Sequence, residues 1–252
     1  DYLLYNIFKS SFHDFSQNKE ADMCSESTIT KRNFPIGDFR GFSMGEEEGG
    51  VTFLTPGEME GHFGQLIEAL AGRGLPSELI YLFEAQRTAV LSRAAEMPFV
   101  KGEIPFLMGI PVGYLSFEEQ AGLFSIALSD ALPSLKLGEF FRKPGIPSQP
   151  YFLFGIENGR ENIGCPWEVG ARELEGEKRQ GLAAEELFAL HVQNRVLVRH
   201  FILACPEKMV AQSMVPGLNF VPGVGPRLEL RETGKGFPEW GTPSCYSREC
   251  FL

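Results

Sequence analysis

The chain runs to 252 residues, long enough to bury a substantial core as one large domain or as one domain with appendages. Its hydrophobic share of 43% and charged share of 22% are those of an ordinary soluble globular protein, while 28 Gly and 17 Pro demand many turns. A net charge of −10 with no Lys/Arg run argues against nucleic acid and anionic membranes, and no stretch reaches the roughly 18–20 apolar residues that span a bilayer.

In chain order, Leu4, Ile7, Phe8, Phe12 and Phe15 recur at helical spacing, so residues 2–15 are expected to form an amphipathic helix. Residues 16–50 are polar and aperiodic and close on Gly45-Glu-Glu-Glu-Gly-Gly50, which reads as an irregular arm. The body is expected to start near Val51. Thr55-Pro56-Gly-Glu58 joins an N-cap hydroxyl, a proline at the first helical position and a reciprocal acid. Met59, Phe63, Leu66, Ile67 and Leu70 then share one face until Gly72 or Gly74 ends the helix. A second helix is expected from Ser77 through Leu82, Phe83, Val90 and Leu91 to a stop at Pro98, followed by a buried strand over Ile104–Ile110. Ser116-Phe-Glu-Glu119 is another capping box, opening a helix that carries Phe117, Ala121, Phe124, Leu128 and Ala131 as far as Pro133.

Tyr151–Ile156, a continuous apolar run between Pro150 and Glu157-Asn-Gly, reads as a strand. The charged stretch 171–179 reads as solvated, and Leu182 to about Val198 as helical. Phe201–Ala204 either extends that helix or starts a strand, and Leu228–Arg231 alternates as an exposed strand. Beyond residue 215 the chain is so rich in Gly and Pro that only packing onto the body can order it, as a rigid lid. Long helices mixed with short, irregularly ordered strands predict a single α+β domain over 51–252, preceded by the helix and arm of 1–50. The 22 Phe read as core packing material.

Signals for chemistry are sparse. Gly41-Phe-Ser43-Met-Gly45 has the spacing of a nucleophile elbow, but Pro35 and Gly37 break the strand before it and acidic residues follow it. His13, His62, His191 and His200 make no pair at i, i+4, and there is no Cys-x-x-Cys. Five scattered cysteines, Cys24, Cys165, Cys205, Cys245 and Cys250, fit reduced thiols in a cytoplasm, although Cys245 and Cys250 are near enough in sequence to bridge. Cys245 near Arg248 has two readings, an activated nucleophile or metal ligand beside a folded-in histidine, and an inert buried thiol. Trp240 likewise is either an aromatic anchor open beside Gly241, with Arg231 or Arg248 adding charge recognition, or a plug in the core beneath the tail.

Several segments carry a resemblance: Leu66-Ile-Glu-Ala-Leu-Ala-Gly-Arg-Gly-Leu-Pro76, Glu103-Ile-Pro-Phe-Leu107, Pro150-Tyr-Phe-Leu-Phe-Gly-Ile-Glu-Asn-Gly159, Gly181-Leu-Ala-Ala-Glu-Glu-Leu-Phe-Ala-Leu190 and Trp240-Gly-Thr-Pro-Ser-Cys245. In their order they resemble a family of uncharacterised bacterial proteins, frequent in actinobacteria, that carries a domain of unknown function. The chain departs from that family in the tail, at Lys235-Gly-Phe-Pro-Glu239. The resemblance implies a layout and no activity.

These readings converge on a cytoplasmic, non-catalytic protein that binds a partner protein or small ligand through the surface around its C-terminal segment. The residues involved would be Trp240, Arg231, Cys245 and Arg248, with no cofactor or metal. The alternative is an enzyme built on a thiol or metal site at Cys245. The Phe-lined N-terminal helix, lacking a helical partner nearby in sequence, is expected to pair between subunits.

Overall fold

The computed structural model describes residues 51–52, 54–100, 103–130, 132, 145–194, 200–204, 214–234 and 236–252. The chain divides into two units, Asp1–Gly45 and Glu46–Leu252, and the described residues all belong to the second. The expected N-terminal helix with its subunit contact, the arm, Ser43, His13 and Cys24 lie outside the described residues, as does Cys205.

The capping boxes act where the sequence placed them. Thr55 Oγ1 accepts the Glu58 amide N–H while Glu58 accepts the Thr55 N–H, starting α1 (Pro56–Ala71). Its buried face is Met59, Phe63, Leu66 and Leu70. The single helix expected from Ser77 is two, α2 (Ser77–Ala85) and α3 (Arg87–Ala95). The break falls at Gln86, whose buried amide donates to the carbonyls of Leu82 and Pro150 and accepts the Phe251 N–H. Held to three segments at once, Gln86 turns the chain so that Phe83 and Val90 both stay in the core.

Two short strands, β1 (Val51–Thr52) and β2 (Phe99–Val100), pair antiparallel. β3 (Ile104–Gly109) follows, buried throughout. The capping box of Ser116 and Glu119 opens α4, but this helix ends at Leu123 instead of running to Pro133 (α4, Phe117–Leu123). The chain leaves through Ser125 at φ 56 and becomes β4 (Ala127–Leu128), paired with a distant strand. Ladder pairing and burial of Phe124 and Ile126 override the helical pattern.

β5 (Tyr151–Ile156) lies antiparallel to β3, and both are fully buried. The outer edge of β3 is closed by side chains. Gln193 Oε1 accepts the Met108 N–H at 2.9 Å, Gln193 Nε2 donates to the Met108 carbonyl at 2.8 Å, and the His62 ring bonds the Phe106 carbonyl.

The charged stretch 171–179 is solvated as expected except at Leu174 and Arg179, and its first part belongs to a helix, α5 (Trp167–Gly176). After β6 (Gln180–Gly181) comes α6 (Ala184–Asn194), buried nearly all round. Phe201–Leu203 resolves to a strand, β7, and the Gly/Pro-punctuated run beyond it to a hairpin of β8 (Met214–Val221) and β9 (Gly225–Glu232). Leu228, expected on an exposed strand, points into the core.

The C-terminal segment then supplies β10 (Trp240–Gly241), β11 (Ser244–Cys245) and β12 (Ser247–Glu249). β10 runs parallel to β7, β11 antiparallel to β6, and β12 antiparallel to β5. The five-stranded sheet is ordered β10-β7-β8-β9-β4 and the three-stranded one β12-β5-β3. Residues 240–249 therefore form a strap that joins three sheets. The fold is α+β, and no helix among the described residues is long and apolar enough to cross a membrane.

Candidate functional site

The structure brings Arg231 and Trp240 together and buries three of the four sequence-nominated side chains, those of Trp240, Cys245 and Arg248. Trp240 is 4% exposed and lies across β8 at Gly217, where an added Cβ would collide with its ring. With Leu203 and Val215 it makes a small core beneath the tail, flanked by Trp167, Phe201 and Phe237. Of its two readings, burial matches the plug and not the open anchor. Arg231 stacks on it, its guanidinium carbon 4.6 Å from the Trp240 ring centre and 5.6 Å from that of Phe237, while also pairing with Glu229.

Cys245 has no exposed surface and belongs to the main core. No disulfide forms among Cys165, Cys245 and Cys250. Arg248, expected as a charge at the surface, has a side chain only 1% exposed. The reason is Glu186 on α6, which is fully buried and would be an uncompensated charge without it. Arg248 Nε and Nη2 donate to Glu186 Oε1 at 2.5 Å and Oε2 at 2.6 Å, and further N–H groups reach Gln180 Oε1 and the Gly181 carbonyl. Tyr151 Oη donates to Glu186 Oε1 at 2.8 Å, and the Ala183 N–H donates to Oε2 at 2.7 Å. Burial opposes ionisation of Glu186, but the Arg248 charge and these bonds outweigh it and hold the carboxyl below its usual range. Burial first, then the Glu186 charge, pushes the Tyr151 phenol well above its ordinary value.

The histidines are dispersed. His200 bonds the Asn158 carbonyl at 2.7 Å and His62 that of Phe106, while His191 Nδ1 is buried without a hydrogen-bond partner among the described residues. Among the described residues no three His, Cys, Asp or Glu side chains group so as to hold a metal.

A cleft opens where the strap meets the turn after β5 and the helix α5. Its volume is about 110 Å³, and Glu157, Glu161, Asn162, Glu173, Leu174, Glu177, Arg179 and Ser244 line it. The backbone shapes its back wall. Gly159, at φ 90, brings its carbonyl against Gly241 so closely that neither position has room for a side chain. Asn162 then clips the strap, its amide bonding the Thr242 N–H and carbonyl at 2.6 and 2.9 Å. Glu157 and Ser244 exchange both backbone hydrogen bonds at 3.0 Å.

Arg179 forms the floor. Nε donates to Ser244 Oγ at 2.7 Å, Nη1 to Glu103 at 2.6 Å and Nη2 to the Gly155 carbonyl at 2.7 Å, with the Tyr246 ring 4.1 Å from its guanidinium carbon. Its charge is thus spent on buried Glu103. Glu157, 9% exposed, accepts the amide N–H groups of Gly159 and Arg160 at 2.7 Å and of Glu161 at 3.3 Å. Desolvation still raises its pKa against those bonds. Glu161, Glu173 and Glu177 are exposed at the rim. The lining is therefore net negative, and its chemistry is that of a receptor for positive charge.

None of these lining residues was nominated by the sequence reading except by segment. The available signal was like charge at four-residue spacing, Glu157 with Glu161 and Glu173 with Glu177. No protein-family model, curated protein or solved structure matches the chain.

Proposed function

We propose that this protein is a non-catalytic binding protein that receives a positively charged group, a free amine or a basic side chain of a partner protein, in the cleft beside its C-terminal strap. The observation that carries the reading is the lining: four glutamates face one cation, and that cation is already paired with Glu103. A cleft of about 110 Å³ suits a charged head group and not a drug-sized molecule, which occupies several hundred Å³. Burial of Cys245 away from solvent supports binding over thiol chemistry. A cytoplasmic setting is part of the proposal, supported by the three described cysteines, Cys165, Cys245 and Cys250, which do not bridge one another. So is the layout of the bacterial family that the sequence resembles, supported by the segment order given above.

Calorimetric titration with spermidine and with a lysine-rich peptide tests it, the two arms separating a small amine from a protein side chain. Binding by at least one is expected, falling at least about tenfold in Glu173→Gln/Glu177→Gln and weakening as salt rises. No heat with either ligand, or an unchanged affinity in the variant, would sink the reading.

A further inference from the structure

We propose that the buried Arg248–Glu186 pair is a register lock for the C-terminal strap, and that it sets the position of the strap more than it adds to the stability of the fold. The strap is attached by short strands. β10 offers two paired residues, β11 two and β12 three. So few ladder bonds specify register weakly, and a slip of one residue would turn Cys245 out of the core and Arg248 away from Glu186.

Arg248 removes that ambiguity because it answers to three elements at once. From its place opposite Leu153 of β5 it bonds Gln180 and Gly181 of β6, the strand that β11 pairs with, and Glu186 of α6. Glu186 in turn holds Tyr151 at the start of β5. Only one setting of β12 satisfies all of these bonds. The energetics point the same way. Desolvation of a pair with side-chain exposures of 1% and 0% cancels part of its attraction, so its net gain over an apolar pair of the same volume is small. A buried polar contact that adds little stability is best attested as a device that fixes register.

The lock also reaches the cleft. Ser244 lies four positions before Arg248 and holds both the Glu157 backbone and Arg179 Nε. Arg248 is thus a positioning residue for a cleft it does not touch. That consequence rests on the function proposed above; the lock itself does not.

Hydrogen exchange read by mass spectrometry tests the lock without any ligand, on Arg248→Met and on Glu186→Gln/Arg248→Met. The double variant leaves neither charge of the pair behind, and the glutamine keeps an acceptor for the Ala183 N–H. It is expected to melt within a few degrees of the parent and above Arg248→Met. Exchange over 244–249 should nevertheless rise about 100-fold, with 104–109 and 184–194 still protected. Wild-type protection over 244–249 in the double variant would show that register does not depend on the pair. A double variant that fails to fold, or loses protection everywhere in proportion, would show that the pair is a source of stability. Either outcome overturns the proposal. Spermidine titration of the folded double variant is a separate readout: normal exchange with lost binding, or the reverse, tells failure of the lock from failure of the cleft reading.

Discussion

A methyl group on residue 241 would meet the carbonyl carbon and oxygen of Gly159, backbone atoms that cannot rotate aside. Gly241→Ala is therefore expected to destabilise by about 2–3 kcal/mol, the scale of core overpacking. The melting temperature should fall by roughly 5–10 °C, with the loss of protection starting at the strap. Gly61 and Gly64, inside α1 with nothing within 4 Å of an added Cβ, are the matched contrast. Alanine at either is expected to raise stability by about 0.5–1 kcal/mol through helix propensity. Thermal melts of the three variants compare the two classes directly. Equal shifts in the same direction would contradict the argument, since residue type and substitution are the same and only the surroundings differ.

Elements differ in how far local sequence determines them. α1 and α4 begin where Thr55 and Ser116 predict, because a capping box is complete within four residues. β5 is legible as a continuous apolar run bounded by turn formers. The break at Gln86 depends on Pro150 and Phe251, far away in the chain, and the early end of α4 depends on β9. Neither contact leaves a local mark. The site divides likewise. Proximity of Arg231 and Trp240 follows from a short tail, whereas the cleft assembles from β5's turn, α5 and the strap, which meet only in three dimensions. The edge of β3 shows the same dependence and gives a test. Gln193→Ala would leave the N–H and carbonyl of buried Met108 without their partners, at about 1–3 kcal/mol for each group left unsatisfied. The Met108 amide is expected to exchange faster than that of Leu107, which faces β5. Unchanged exchange at Met108 would mean that another group closes the edge.

At the scale of the whole molecule, burial of histidine makes stability depend on acidity. Burial, then the nearby Arg73 charge, lowers the His191 pKa to about 4, and burial lowers that of His62 against its bond to the Phe106 carbonyl. Unfolded histidine titrates near 6.5, so above that pH both states are neutral and these groups contribute nothing to the balance. As pH falls below about 6.5 the unfolded chain takes up protons that the folded one refuses, and stability declines. For His191 the decline continues to about pH 4 and amounts to something on the order of 3 kcal/mol. Two carboxyls modify the curve. Glu157, with its raised pKa, takes up a proton more readily folded than unfolded and offsets part of the loss. Glu186, lowered, holds its contribution above the unfolded carboxyl range and gives it up only as pH falls through its own folded value. Urea midpoints from pH 8 to pH 4 are therefore expected to be level down to about pH 6.5 and to fall below it. In His191→Gln the fall should be shallower by the share assigned to that ring, and superimposable curves for parent and variant would show that His191 titrates normally in the folded protein.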